Sequence, residues 1–312
     1  MLLNLFIPTL NAGPMWQEVL NGIERQTYPI AKVVVIDSGS DDGTIEAISG
    51  KGYEILTLDK KHFDHGGTRQ LAAEKYPDAD IFVFLTQDAI LENEDALQNI
   101  VSSFETYPNY GMVYGRQLPH KGAKTLESHA RYFNYPDLIQ TKSLSDAPKY
   151  GIKTISCSNS FAAYRKTAFF EVGGFPSGVI LGEDVLIAGK MLLKGWDMGY
   201  LGNARVHHSH NYSVKEEFKR YFDIGVFHAD SPWIFEHFGR AESEGFKYLK
   251  SELKYVLKNN IFALPKSIAT LFAKLLGYKI GLKHKHLPLS INKLLSMHKA
   301  FWDRKEAAAI RF

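Results

Sequence analysis

The stretch KVVVIDSGSDDGT, residues 32–44, runs through four β-branched residues with no polar alternation, halts at Asp37 and passes into acids, serines and glycines. A strand with one wet face alternates; one that does not is buried on both faces, as in a parallel sheet covered by helices. The flanking segments repeat the unit. LLNLFIP (2–8) precedes a helical stretch around MWQEVLNGIERQ (15–26), TIEAIS (44–49) reads as a helix before the short strand YEILTL (53–58), and IFVFLTQDA (81–89) is a further apolar strand ending in polar residues. In open sheets of this class ligands bind beyond the carboxyl ends of the strands. Those ends are Pro8-Thr9, Asp37-Ser38 and Gln87-Asp88, so polar residues converge on one edge.

FDHGGTRQLA (63–72) precedes the strand that leads to Asp88. Gly66 and Gly67 permit positive φ or a close approach of backbone to ligand, and Thr68 reads as the cap of the helix TRQLAAEKY. Its free N–H groups would face an anion or polar ring beside Arg69. An ordinary loop-to-helix junction is the bland alternative. From 110 to 210 the pattern loosens into strand-like pieces (GMVYGRQL, SNSFAAYR, MGYLG), an extended loop rich in Tyr, Ser and Lys, and one clear helix after Gly182. Beyond residue 213 apolar positions recur at three and four, so the chain turns helical. A boundary near residue 240 divides it into a main domain, 1–240, and a basic helical extension, 241–312.

Composition narrows the function classes. The 312 residues are 45% apolar and 23% charged, with a formal charge of +3, too mild for a nucleic-acid partner. The single cysteine, Cys157, allows no intrachain disulfide and fits a reducing compartment. The N-terminus reads as a first strand and not as a secretory signal. The segment 261–282 is broken by Pro265, Lys266, Lys274 and Lys279, short of an uninterrupted membrane span. A cytoplasmic protein, resting on a membrane surface, is the expectation.

Four segments carry candidate chemistry. In VIDSGSDDGT an EF-hand fails, because Gly39, Asp42 and Ile48 stand where acid or amide, glycine and glutamate are required. Asp37 at its strand end suits a pyrimidine N–H or a ribose hydroxyl; a turn with a helix cap at Asp42 or Thr44 accounts for part of the pattern. TQDA (86–89) places Asp88 in the crevice, and with no glycine-rich phosphate loop a divalent cation, Mg²⁺ or Mn²⁺, is the natural carrier of a diphosphate. ILGEDVLIAGKMLLKGW (180–196) sets Glu183 and Asp184 at a helix mouth, where the macrodipole favours acids and a general base is well placed. In VHHSHNYS (206–213), read as a strand, His208 and His210 share a face and His207 points away.

IPTLNAG, VVVIDSGSDDGT, FDHGGTR, FLTQDA, VGGF and GED occur in that order, and together they resemble a family 2 glycosyltransferase of the GT-A fold. FDHGGTR, TQDA, SNSFAAYR and HSHNYS are similar, more narrowly, to the bacterial rhamnosyltransferases of that family, over residues 3 to 230. The resemblance implies an α/β domain, a Rossmann-like and mostly parallel sheet, followed by the helical extension. It implies metal-dependent, inverting transfer of L-rhamnose from dTDP-L-rhamnose to an undecaprenyl-diphosphate-linked saccharide in cell-surface polysaccharide synthesis. Asp184 would be the base with Glu183 in support. Pro8, Thr9, Asp37, Ser38, Arg69 and Gln87 would hold the donor nucleotide. Asp64, His65, Gly67, Asn159, Arg165, Gly174 and Phe175 would line the donor-sugar and acceptor side. Asp88 matches the last acid of the family's metal-binding D-x-D element, but Thr86 occupies the first acidic position, so His208 or His210 would supply the missing ligand. The lysine-interleaved helices would lie on an anionic membrane surface, with oligomerisation or helix packing as the alternative. A UDP-hexose donor on the same fold, or a non-catalytic scaffold keeping it, are the rivals.

Overall fold

The computed structural model describes residues 1–240 and 244–310. The apolar runs become β1 (Leu3–Thr9), β2 (Lys32–Asp37), β3 (Glu54–Thr57) and β4 (Ile81–Leu85), paired in parallel in the order β3-β2-β1-β4. β1 sends Leu5 and Ile7 to one core and Phe6 to the other, which is why its sequence shows no alternation. Pro8 lacks an N–H but lies past the last residue that pairs with β4, so no ladder bond is lost there.

The helices between these strands are α1 (Trp16–Glu24) and α2 (His65–Lys75). TIEAIS, expected as a helix, is only a 3₁₀ turn at Glu46–Ile48, followed at once by left-handed Gly50 and Gly52 at φ 75° and 71°. Next come β5 (Ile90–Leu91), α3 (Ala96–Thr106) and β6 (Tyr110–Leu118). The stretch expected as an extended loop instead holds α4 (Thr125–Asn134), β7 (Ile139–Lys142) and the single turn α5 (Ala147–Tyr150). β8 (Phe161–Arg165), α6 (Lys166–Glu171), α7 (Glu183–Leu193) and β9 (Asp197–His207) complete the sheet region.

The sheet is mixed. Its first four strands are parallel as expected, whereas β8 runs antiparallel to β4 and to β6, and β9 runs parallel to β6 but antiparallel to β5 and β7. The α/β class and the crevice at the carboxyl ends of β1, β2 and β4 stand unchanged. The first antiparallel return has one consequence for the site: β8 enters at the crevice edge and leaves at the opposite one.

The chain ends in α8 (Val214–Asp230), α9 (Trp233–Phe238), α10 (Glu244–Asn259), α11 (Leu264–Gly281), α12 (Leu289–Leu295) and α13 (Lys299–Ile310). α11 lies along α8, and a Cβ at Gly277 or Gly281 would fall 2.3 or 2.1 Å from the carbonyl oxygens of Phe218 or Phe222. Glycine is what lets the two backbones touch. The buried face of α11 is Ser267, Thr270, Gly277 and Gly281, while Ile268, Phe272, Leu275 and Leu276 face outward. That is the reverse of an ordinary surface helix. Phe301 and Trp302 of α13 return to the core beneath the sheet.

Candidate active site

The crevice begins with two loops laced together. Asp37 accepts from Thr9 Oγ1 (3.1 Å) and Ser40 Oγ (2.5 Å) on one oxygen, and from the N–H groups of Gly39 and Ser40 (2.9 Å each) on the other. All acceptor positions of the carboxylate are thereby used. Asp42 accepts from Gly13 N at 3.0 Å, Ala12 N donates to Thr44 Oγ1 at 2.9 Å, and Asn11 holds Asp41 N at 2.9 Å from a positive φ of 47°. Asp37, expected to meet the pyrimidine, also ties these two loops together. The Gln87 amide bonds both main-chain groups of Leu10, at 2.7 and 3.2 Å, and fixes the end of β1. Ser38 differs, because its hydroxyl is buried beside these loops with no partner. An unmet buried hydroxyl costs about 1–3 kcal/mol, and a bound ligand would remove that cost.

FDHGGTR is a helix start. The cap of α2 is Asp64, not Thr68: Asp64 Oδ1 accepts from Gly67 N at 2.7 Å and Oδ2 from Gly178 N at 3.1 Å. Neither Gly66 nor Gly67 has positive φ; a Cβ on Gly66 would lie 1.9 Å from the Pro176 carbonyl oxygen, so close approach alone demands the glycine. Arg304 of α13 donates to Phe63 O at 2.6 Å and meets Asp64 at 3.3 Å. The His65 ring sits edge-on to those of Phe63 and His298.

Arg69 points along α2 to the next part of the site, not to the nucleotide loops. Its Nη1 lies 3.1 Å from Glu183 Oε1, with both side chains almost wholly buried. Asn159 ties the acids together: its side-chain N–H donates to Glu183 Oε1 and its main-chain N–H to Asp184 Oδ2, each at 3.1 Å, while Tyr164 donates to its oxygen at 2.7 Å. Burial would raise the Glu183 carboxyl, but Arg69 and His65 outweigh it and hold it below its ordinary value. Asp184 has no such cation. Burial, and then the Glu183 charge, push it up to about 7. Gly182 caps this helix at φ 80°, with the Phe227 ring 2.7 Å from where a Cβ would stand.

The third part is Asp88 with His208 and His210, whose ligating atoms all lie within 4.8 Å of one another. β9 ends at His207, so the histidines follow the strand and do not belong to it. The expected division still holds: His208 and His210 turn their Nε2 atoms to Asp88, at 3.4 and 3.6 Å, and His207 turns away to Pro119 O. Gln117 Oε1 lies 3.1 Å from His208 Nδ1 and orients the ring. Burial, and then His208, push His210 down to about 4, leaving it neutral and able to ligate. Burial would raise Asp88, but its hydrogen bond with His208, with smaller contributions from the nearby imidazoles and Thr86, outweighs that and holds it below its ordinary value. One carboxylate and two imidazoles facing one point form a donor set that fits a divalent cation.

Three expected residues lie elsewhere. Because β8 runs antiparallel to β4, Arg165 pairs with Ile81 at the far edge of the sheet, where it donates to the carbonyls of Tyr110 and Phe104 at 2.9 Å. Phe175 is buried among Phe84, Tyr164 and Phe169. Gly174 serves that loop, at φ 66° with the Gln70 amide pressed against it. The sequence reading missed Gln117, His298 and Arg304. Only Gln117, in the strand piece GMVYGRQL, had even a local context, and nothing nearby set the other two apart.

These features define a nucleotide-sugar transferase site, and the family model for Glycosyl transferase family 2 matches residues 5–173. The chain belongs to that family, and its fold is GT-A. It is 51% identical over 304 residues to the O-antigen chain rhamnosyltransferase RfbN of Salmonella typhimurium, covering 97% of this chain and 96% of that one. It is 46% identical over 300 residues to the O-antigen chain rhamnosyltransferase WbaN of Salmonella anatum, covering 96% and 95%. Among solved structures, mannosyltransferase PcManGT from Pyrobaculum calidifontis, in complex with GDP-Man and Mn²⁺, matches with TM-score 0.57 and 20% identity over 99% of this chain and 86% of that one.

Proposed function

We infer that this chain transfers L-rhamnose from dTDP-L-rhamnose to a lipid-linked saccharide in O-antigen synthesis, with inversion at the anomeric carbon. The rhamnosyl group rests on 51% and 46% identity, over nearly the whole chain, to two O-antigen chain rhamnosyltransferases, and the dTDP carrier on the motif resemblance. The chemistry rests on one observation: Asp184, pushed up to about 7 and held by Asn159 and Val185 N–H groups, beside a Glu183 that Arg69 neutralises. A carboxylate of that basicity accepts a proton from an acceptor hydroxyl at neutral pH. The acceptor oxygen bonds to the anomeric carbon as the bond to the diphosphate breaks, and that electron pair leaves with the phosphate oxygen.

Asp88, His208 and His210 would hold a divalent cation, which when bound supplies positive charge to the departing diphosphate. The loops at Thr9 and Ser38 take the nucleoside end, with Asp37 and Gln87 fixing their shape. Asp64, His65 and Gly67 flank the sugar side, and Asn159 and Glu183 position Asp184. In the C-terminal helices, Phe246, Leu253, Leu257, Ile261, Phe262 and Phe272 are exposed among the exposed Lys250, Lys254, Lys258 and Lys279. The segment Ile261–Gly281 is long and apolar enough to cross a bilayer, with mean hydropathy 1.3. Lys266 Nζ, however, donates to Tyr212 O at 2.8 Å, and Lys274 lies 3.5 Å from Glu217, so the segment is tied along α8. It lies flat on an anionic leaflet, where the lipid-linked acceptor resides.

The test is transfer of labelled rhamnose from dTDP-L-rhamnose to extracted undecaprenyl-diphosphate-linked saccharide, with UDP-glucose and UDP-galactose alongside. Incorporation from the rhamnosyl donor alone supports the reading. Incorporation from a UDP-hexose overturns the donor, and none from any donor favours a scaffold.

A further inference from the structure

Arg220 stands three turns from the histidine cluster in sequence and beside it in space. Ser213 caps α8 through a reciprocal bond with Glu216, which sets the first turn directly after the histidines. The Arg220 guanidinium then lies over the Tyr212 ring, 5.7 Å from its centre. The Tyr212 ring is 5.3 Å from that of His210, and His210 Nε2 is 3.6 Å from Asp88. Through Tyr212 the guanidinium stands beside the cation-binding cluster.

Its charge is unspent. Arg69 is paired with Glu183, Arg131 with Glu127 and Arg304 with Asp64. Among the described residues no carboxylate lies within ion-pair distance of Arg220, and Glu217, one turn back, is engaged by Lys274 at 3.5 Å. Arg220 is exposed, so water meets its charge when no ligand is present and its guanidinium is open to a ligand with two or more negative charges. A guanidinium meets two phosphate oxygens at once, and its stacking on Tyr212 presents that fork in a fixed plane.

We propose that Arg220 binds the diphosphate that departs from the donor, beside Asp88, His208 and His210. The inference rests on the rhamnosyl-transfer reading above. As the anomeric C–O bond breaks, its electron pair adds one negative charge to the leaving diphosphate, and Arg220 meets that added charge while Asp184 takes the acceptor proton. The lipid-linked acceptor also carries a diphosphate, so the same chemistry has two sources.

Calorimetry on the full chain with Mn²⁺ separates them, comparing dTDP with dTMP for wild type, Arg220→Met and Arg220→Lys, with steady-state kinetics beside it. The expected result is a loss of about 10- to 100-fold in dTDP affinity for Arg220→Met, with dTMP affinity and Mn²⁺ binding unchanged. Arg220→Lys should recover part of the loss, and kcat should fall with both. Unchanged dTDP affinity with a raised KM for the lipid-linked acceptor would assign Arg220 to the acceptor's diphosphate and overturn the proposal. Equal losses of dTDP and dTMP affinity, or lost Mn²⁺ binding, would reduce it to packing on Tyr212. A wild type that binds UDP and not dTDP would overturn the donor reading instead, and Arg220 would then be judged on UDP against UMP.

Discussion

Arg69 and Glu183 form a buried ion pair at 3.1 Å, and that pair splits the two neighbouring acids of α7 into unlike groups. Glu183 stays ionised because Arg69 faces it; Asp184 is raised to about 7 because burial and that ionised neighbour both oppose its charge. Adjacent residues on a helix mouth thus become a fixed anion and a proton acceptor.

A pH dependence follows. The base must be deprotonated, so kcat/KM should rise with pH through a midpoint near 7 and level off above it. Glu183→Gln removes a negative neighbour and should move that midpoint to lower pH. Stability runs the other way. A carboxyl raised from 3.8 to about 7 on folding adds stability that is fully present below its unfolded value and lost as pH rises through 7. Asp184→Asn should therefore abolish turnover, yet be more stable than wild type at pH 8 by about 1–3 kcal/mol, after allowing for solvent screening. Urea melts at pH 5 and pH 8 check this; a variant less stable at pH 8 would contradict it.

Removing one partner of the buried pair should be costly. Arg69→Met strands Glu183 without its cation and should lower stability by about 3–5 kcal/mol. Arg69→Met with Glu183→Gln removes both charges and should recover much of that loss. A double variant no more stable than the single one would mean that packing, not charge, sets the cost.

Most of the frame was legible and much of the site's wiring was not, for separable reasons. The strands β1, β2 and β4 are apolar without alternation, and burial on two faces leaves only that mark. Asp88 and the histidines were legible because each closes or follows a strand at the same edge. Arg69 was read towards the nucleotide because nothing local says that its partner is Glu183, far along the chain. Asp64 was passed over as a cap because two glycines in a first turn look like loop; what requires glycine there is the Pro176 carbonyl, a tertiary contact. Arg165 and Phe175 sit in motif-like stretches yet serve the far edge and the core. His298 and Arg304 reach the crevice only because the C-terminal helices turn back to it, which periodicity does not reveal.

The cation cluster predicts a specific dependence on Gln117. Gln117→Leu removes the acceptor that orients His208 and should weaken Mn²⁺ binding by about 10- to 100-fold. Asp88→Asn and His210→Ala should weaken it further. Electron paramagnetic resonance of free Mn²⁺ measures this without turnover. Wild-type protein that takes up no Mn²⁺ would remove the cluster from the mechanism.

The outward face of α10 and α11 makes the last prediction. Phe262 is 92% exposed at the turn between these helices, Phe246 80% and Phe272 64%, and water alone gives no reason to hold three such rings outside. Burying apolar area stabilises by about 25 cal/mol per Å², so rings entering the acyl boundary together outweigh the loss of headgroup contacts. The exposed lysines beside them each add about 1 kcal/mol near an anionic leaflet. Wild-type protein should sediment with phosphatidylglycerol vesicles, less with phosphatidylcholine vesicles, and less again at high salt. Phe262→Asp with Phe272→Asp should release it at any salt, while transfer to a soluble acceptor analogue persists, because neither ring reaches the crevice residues. If the double variant sedimented like wild type, this face would instead pack against another protein, and the concentration dependence of the wild-type sedimentation coefficient would report a second copy.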